Sequence, residues 1–303
     1  MPKRKSKVSR SSRKSGASRP PRRAKSMQPR FLSREPGLLA FNRRVLAQAQ
    51  DRHTPALERL RFLCIVSSNL DEFFEIRVAE LKERIKFGDD VSRPGEATAG
   101  EIYAAVSAEA HTMVDEQYRL LNQELLPELA RNKVHFLQEK DWSRKQHDWL
   151  HEYFQREMMP LLTPIGLDPA HPFPRVLNKS LNFAVALEGR DAFGRSSGTA
   201  IVQAPRLLPR VIRLPEKLAG RGYHFVFLTS VLQAFVGALF QGMTVLGSHP
   251  FRVTRNSDLF LDEEEIKDLR TALRGELPQR HFGDSVRLQI AAGSPAAMET
   301  FLL

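Results

Sequence analysis

Thr98-Ala-Gly-Glu101 has the form of a full capping box, and behind it apolar residues recur at Ile102, Val106, Ala110, Met113 and Leu121 with no breaker before Pro127. A hydroxyl at the N-cap and a carboxylate three residues on satisfy amides that every helix start leaves free, so this run reads as a long helix. A helix with one apolar stripe has to bury it against other helices. Candidate partners lie upstream. Leu38, Phe41 and Val45 share one face behind Pro36, a favourable residue for a first turn. Thr54-Pro55 opens a second helix carrying Leu57, Leu60, Leu63 and Cys64. At Ser67-Ser68-Asn69 the propensity falls, and Asn69 with Glu72 three residues on matches an N-cap followed by its capping-box acid. This predicts a third helix from there through Phe73, Phe74, Val78, Leu81 and Ile85 to Gly88, then a polar loop containing Ser92-Arg-Pro-Gly95. Residues 31–132 thus read as an all-α bundle of about four helices joined by short loops.

The texture changes after Lys133. Val134 to Leu137 reads as a short strand and Ser143 to Met159 as an amphipathic helix. Ser180 to Leu187 and Thr199 to Gln203 read as strands flanking a Gly/Ser/Arg turn, as in a hairpin. Further strands are expected at Val211–Leu214, Phe225–Leu228, Phe251–Thr254 and Val286–Ala291, with helices at Ser230–Gly242 and Asp262–Leu273. The fold class is therefore multidomain, α and α+β: a helical N-terminal domain followed by an α+β head domain over 133–303. Ser294-Pro295 looks like a helix start, and the chain stops at Phe301-Leu302-Leu303, which predicts a truncated head domain.

The formal charge of +11 invites a nucleic-acid reading, and its distribution narrows it. Residues 1–30 hold twelve Lys and Arg and no acid, leaving 34 of the 46 basic residues to face 35 acids. The excess therefore belongs to a Ser/Arg/Lys-rich tail with little to bury, expected to be disordered and to attract polyanions without specificity. No aromatic-interleaved basic repeat or zinc-finger spacing supports a specific nucleic-acid module. The tail lacks the apolar core of a secretory signal, Met27 offers an alternative start, and the single cysteine, Cys64, fits a reducing compartment, so a cytoplasmic location is expected. Phe225 to Leu246 is apolar enough to raise the question of a membrane span, but Thr229, Ser230, Gln233 and Gln241 interrupt it. A buried strand followed by a capped helix from Thr229 to Gly242 is the better reading.

Several catalytic patterns match as strings. Gly194-Arg-Ser196-Ser-Gly198 fits a nucleophile elbow, but that elbow joins strand to helix and here strands lie on both sides. Gly237 to Thr244 has P-loop glycine spacing, with Met243 in place of the phosphate-binding Lys and its glycines expected within a helix. His147 and His151 share a helix face with Asp148 where a zinc protease has Glu; a polar helix surface is the simpler reading. Asp71, Glu72 and Glu75, and likewise Asp262 to Glu265, have metal-binding chemistry, yet acids in a first helical turn are explained by the helix dipole.

The run from Arg59 through Ser67-Ser-Asn69-Leu-Asp-Glu-Phe-Phe-Glu-Ile-Arg77 to Leu81 resembles the N-terminal signature of the polyphosphate kinase family. Leu162 to Asn182, Leu208 to Pro215, Phe251 to Asp258 and Leu261 to Glu265 resemble the same family in the same order, so the likeness runs from about Phe31 to the end. It implies reversible transfer of the terminal phosphate of ATP onto polyphosphate through a phosphohistidine and magnesium. The catalytic histidines and the magnesium-linked arginines of the family lie in two C-terminal, phospholipase-D-like domains, to which nothing here corresponds. What is implied for this chain is the nucleotide-contacting helical domain and most of the head domain used in subunit association. ATP and polyphosphate are the implied partners, with a homo-oligomer, and peripheral membrane association is compatible with it. One family residue maps here, the nucleotide-contacting Asn at Asn69. A helix N-terminus would offer it free amides and partial positive charge beside a phosphate-rich ligand, and a cap alone is the plainer alternative. Glu35-Pro36-Gly37-Leu38 departs from the usual Glu-Leu-Ser-Trp, and Thr229 to Gly242 is less acidic than its counterparts. A stand-alone, non-catalytic binding and assembly module with a polyanion-binding tail is the rival reading.

Overall fold

A computed structural model describes residues 33–88, 97–167, 173–190, 198–257 and 283–303. The tail, the loop at Ser92–Gly95, the elbow-like turn apart from Gly198, and the helix and acids expected over 262–273 lie outside the described residues.

The helical part begins with α1 (Arg34–Gln50). Next, α2 (Ala56–Glu72) continues through a π-helical turn, Phe73–Val78, into α3 (Ala79–Lys86) as one rod. No helix begins at Asn69. The residues that lowered the local propensity are satisfied without breaking the helix: Ser68 Oγ donates back to the Cys64 carbonyl, and Ser67 Oγ accepts from Gln117 Nε2. Burial of Val66 and Leu70 on either side then holds the backbone helical. A second rod comprises α4 (Ala99–Leu120), a π turn at Leu121–Leu125 and α5 (Leu126–Arg131). Its capping box is formed as expected, Thr98 Oγ1 accepting from the Glu101 amide and Glu101 Oε2 from the Thr98 amide. Three continuous rods thus replace the four expected helices among the described residues.

The buried stripe of α1 is offset by one residue from the expected one. Leu39, Asn42, Leu46 and Ala49 face the core, while Leu38 and Phe41 are 40% and 49% exposed. Asn42 is tolerated inside because its amide donates to the Val66 carbonyl at 3.2 Å. In α2, Leu57 and Cys64 point outward and Arg59 is buried, its Nε donating to the Ala49 carbonyl and its Nη1 to Glu128, each at 2.8 Å. Long apolar stems under polar tips explain why a hydrophobic pattern alone misplaces such stripes.

Beyond Lys133 lie two sheets. β1 (Val134–Leu137), β6 (Tyr223–Phe227) and β5 (Val211–Arg213) form a small sheet in the order β1-β6-β5, parallel at β1-β6 and antiparallel at β6-β5. β2 (Pro164–Gly166), β4 (Thr199–Ala204), β3 (Leu181–Gly189), β7 (Met243–Arg255) and β8 (Ser285–Ile290) form an antiparallel sheet in the order β2-β4-β3-β7-β8. The expected hairpin of β3 and β4 is present, with Ala184 opposite Ile201. Along β3 the period of two sends Phe183, Val185 and Leu187 to one face and Ala184 to the other. A short helix, α7 (Glu216–Ala219), joins β5 to β6. The first face packs with α6 (Arg144–Tyr153) and α8 (Leu228–Phe235); the second, to which β7 adds Phe251 and Val253, is covered by Met298 of helix α9 (Ala296–Leu302).

Two expectations over 228–255 are corrected. α8 starts at Leu228 with no side-chain cap and yields to a 3-10 turn at Val236–Leu239, because Gly237 weakens it and Gly242, at φ +84°, turns the chain. β7 then runs for 13 residues through Gly247 and Pro250, its pairing with β3 overriding those breakers. Gly237 and Gly242 therefore stand in a helix-to-strand passage, the reverse of a P-loop. Among the described residues no helix is long and apolar enough to cross a membrane.

Candidate functional site

Asn69 lines a cleft of about 210 Å³ between α1 and the rod of α2 and its π turn. The spacing explains the wall: Asn69, Phe73 and Ile76 lie on one helical face, and Arg34, Leu38 and Phe41 lie on one face of α1. Arg77 and Glu72 also reach it. The polar chemistry follows from one hydrogen-bond chain. Asn42 must donate its amide to Val66, whose carbonyl only accepts, so Asn42 presents its Oδ1 to Asn69, which donates Nδ2 to it at 3.0 Å. The Asn69 Oδ1 is left as an acceptor. Arg34 has no ion-pair partner among the described residues, whereas Arg77 pairs with Glu80 at 3.2 Å. The cleft therefore offers aromatic and aliphatic walls, one fixed amide and two cations. Asn69 is the residue expected here; Arg34, Phe41, Asn42 and Arg77 escaped sequence reasoning, and only a polar residue on the buried stripe of α1 signalled Asn42.

The opposite face of the same rod is the seam with the head. Asp71 takes a bidentate pair from Arg252 of β7, and Glu75 accepts from Asn178 Nδ2 at 2.6 Å and from the Lys179 ammonium. Asn256 donates to Glu83, Lys82 to the Val286 carbonyl, and Arg287 stacks over the Phe74 ring at 4.4 Å. Burial, and then the nearby Arg252, push the Arg287 guanidinium below its usual range. The dipole explanation of Asp71 and Glu75 is overturned, since both sit in mid-rod and hold the head. Lys179 adopts φ +56°, an unusual conformation for a non-glycine residue, and its backbone amide is tied to the Val253 carbonyl.

His147 and His151 both pack against the buried Phe235, at 5.1 Å between ring centroids, rather than forming only the polar helix surface expected of them. Among the described residues no group of three or more His, Cys, Asp or Glu is placed to hold a metal ion.

The profile described as the polyphosphate kinase N-terminal domain matches residues 31–137, and that described as the polyphosphate kinase middle domain matches 145–303. The chain belongs to the polyphosphate kinase family. Its relatives include the polyphosphate kinase of Neisseria gonorrhoeae, 57% identical over 276 residues that cover 91% of this chain and 40% of that protein. The polyphosphate kinase of Burkholderia vietnamiensis is 53% identical over 273 residues, which cover 90% of this chain and 40% of that one. The crystal structure of polyphosphate kinase from Porphyromonas gingivalis superposes with a TM-score of 0.71 at 24% identity, covering 90% of this chain and 37% of that chain, a likeness of fold. This polyphosphate kinase chain thus spans about two fifths of the length of the curated relatives it matches. Segments that carry the family likeness, at 59–81, 162–182 and 251–258, meet at the seam through Asp71, Glu75, Asn178, Lys179 and Arg252.

Proposed function

We propose that this chain is the nucleotide-contacting and assembly portion of a polyphosphate kinase that moves the terminal phosphate of ATP reversibly to polyphosphate in the cytoplasm of the cell. The observation that carries the reading is the fixed amide of Asn69 in a cleft with apolar walls and cationic ends. Its unoccupied Oδ1 suits a donor such as the exocyclic amine of adenine, Phe41 offers a face for the base, and Arg34 and Arg77 suit the phosphates. The helix N-terminus invoked from sequence plays no part in this, because Asn69 lies within a rod.

Transfer itself is assigned to residues outside this chain, as are the phosphohistidine and the magnesium that screens the transferring phosphate. The head domain, 133–303, is assigned the role of joining subunits of a homo-oligomer, and the helical domain, 31–132, that of holding ATP. Titration of the chain with a fluorescent ATP analogue tests the site. Binding that weakens severalfold in Asn69→Asp and Arg77→Gln, and that an adenine nucleotide displaces better than a guanine nucleotide, is the expected result. Equal displacement by both bases with unchanged affinity in Asn69→Asp would remove the assignment. Incubation of the purified chain with radiolabelled ATP is expected to give no acid-stable polymer.

A further inference from the structure

A second cleft, of about 280 Å³, opens on the head side of the seam between Lys179, Leu181, Arg210, Phe227, Leu228 and Arg252. Its charges do not balance. Lys179 and Arg252 are each answered by one carboxylate, Glu75 and Asp71, but Arg210 has no acidic partner among the described residues, and Arg206 stands near it. Four cations thus share two acids. Burial, and then Arg206 and Arg252, lower the Arg210 guanidinium below its usual range. Two of the cations are held by further bonds, Arg206 donating to the Asn178 carbonyl at 2.7 Å and Arg252 also gripping Gln289, while the backbone of Arg210 is tied to the start of α8, its carbonyl accepting from the Leu228 amide at 3.0 Å. Leu181, Phe227 and Leu228 form apolar walls, which strengthen any charge pairing made between them.

We propose that this cleft binds a linear oligophosphate, with Arg210 as the principal ligand and Lys179 and Arg252 flanking it. Several fixed cations around one slot suit an anion with charge repeated along its length better than a single carboxylate. The choice of phosphate rests on membership of the polyphosphate kinase family, while the cleft is separate from the nucleotide reading. Asp71, which pairs with Arg252 of this cleft, lies about 200° around the helix from Asn69.

Calorimetric titration of inorganic tripolyphosphate into the full 303-residue chain, at about 0.15 M salt to suppress weak surface binding, tests it. Arg210→Gln is expected to weaken binding roughly tenfold with an unchanged melting temperature, and Arg210→Lys to retain most of it. The paired tail change Arg22→Gln, Arg23→Gln should leave affinity within twofold. Unchanged affinity in Arg210→Gln, or an equal loss from the tail change, overturns the proposal. Parallel titration with ATP separates the sources. A loss of ATP affinity in Arg210→Gln assigns the cleft to the triphosphate of a nucleotide. ATP affinity that responds to Asn69→Asp alone assigns it to free oligophosphate, and fails independently of the Asn69 site.

Discussion

Arg252 reaches from β7 to Asp71 of α2 and holds both carboxylate oxygens, Nη1 to Oδ2 at 2.8 Å and Nη2 to Oδ1 at 2.7 Å. The pair is partly buried, with side chains 31% and 17% exposed, so it escapes much of the screening that makes surface pairs negligible. Asp71→Ala and Arg252→Ala are each expected to destabilise the chain by about 1–3 kcal/mol, the larger part from the partner left unanswered. A double-mutant cycle in urea should give a coupling of about 1 kcal/mol or more. Additive losses would show that the two residues stabilise their own elements separately.

Asn69 is a hydrogen-bond donor to a buried acceptor, so its substitutions have a different signature from those of a cap. Asn69→Ala leaves Asn42 Oδ1 without its donor, at about 1 kcal/mol or more. Asn69→Asp sets a carboxylate against that same acceptor and should cost at least as much. A cap would accept Asp without loss. Thermal melting of the two variants decides it, and an Asp variant as stable as the parent would contradict the hydrogen-bond chain.

His224 and His135 face each other across β6 and β1 with ring centroids 4.9 Å apart, and His224 Nδ1 is buried without a hydrogen-bond partner among the described residues. Burial, and then the neighbouring His135, depress the His224 imidazole from 6.5. A depressed value means that folding favours the neutral ring, so this contribution is present in full above pH about 6.5 and is lost as pH falls through the folded value. The melting temperature is expected to drop on acidification below about 6.5, less steeply in His135→Asn. A pH profile that His135→Asn leaves unchanged would contradict the pairing.

Gly222, at φ +114°, lies against Lys133, itself at φ +62°, where the helical part gives way to the head. A Cβ there would stand 2.5 Å from the Lys133 carbonyl oxygen, which already accepts from the Tyr223 amide at 2.8 Å. Gly222→Ala is expected to destabilise by about 2 kcal/mol or more, read as a lowered urea midpoint. Gly220→Ala, with nothing within 4 Å of the added atom, should cost less.

Removal of residues 1–26 should leave thermal unfolding nearly unchanged and abolish most retention on a heparin resin at low salt, because attraction to the tail acts through counterion release. Elution of the shortened chain at the same salt as the parent would place the attraction in the folded part instead.

Much of this architecture could be read from local chemistry. The capping box at Thr98, the helix start at Ser143 and the β3-β4 hairpin are decided within a few residues, and the structure has them where the sequence puts them. Long-range events were illegible. Ser67, Ser68 and Asn69 look like a break until Gln117 and Asn42 are seen to take up two of their side chains, and Pro250 looks like a strand end until β3 pairs with it. The same limit applies to the sites. Asn69 was visible through a family likeness, but its partner Asn42 lies 27 residues away, and the opponents of Asp71 and Glu75 lie 181 and 104 residues away. No local pattern encodes those distances.

The π turn at Phe73–Val78 amounts to one residue more than an α-helix would need over that stretch. Loss of one residue there would therefore let the rod run on as plain α-helix with what lies beyond it still in phase. Val78 and Leu81 would keep facing the bundle, and Glu83 would keep its reach to Asn256. A one-residue deletion within 73–78 should thus be borne more readily than one within 56–72, where no residue is surplus and everything beyond would swing by about 100°.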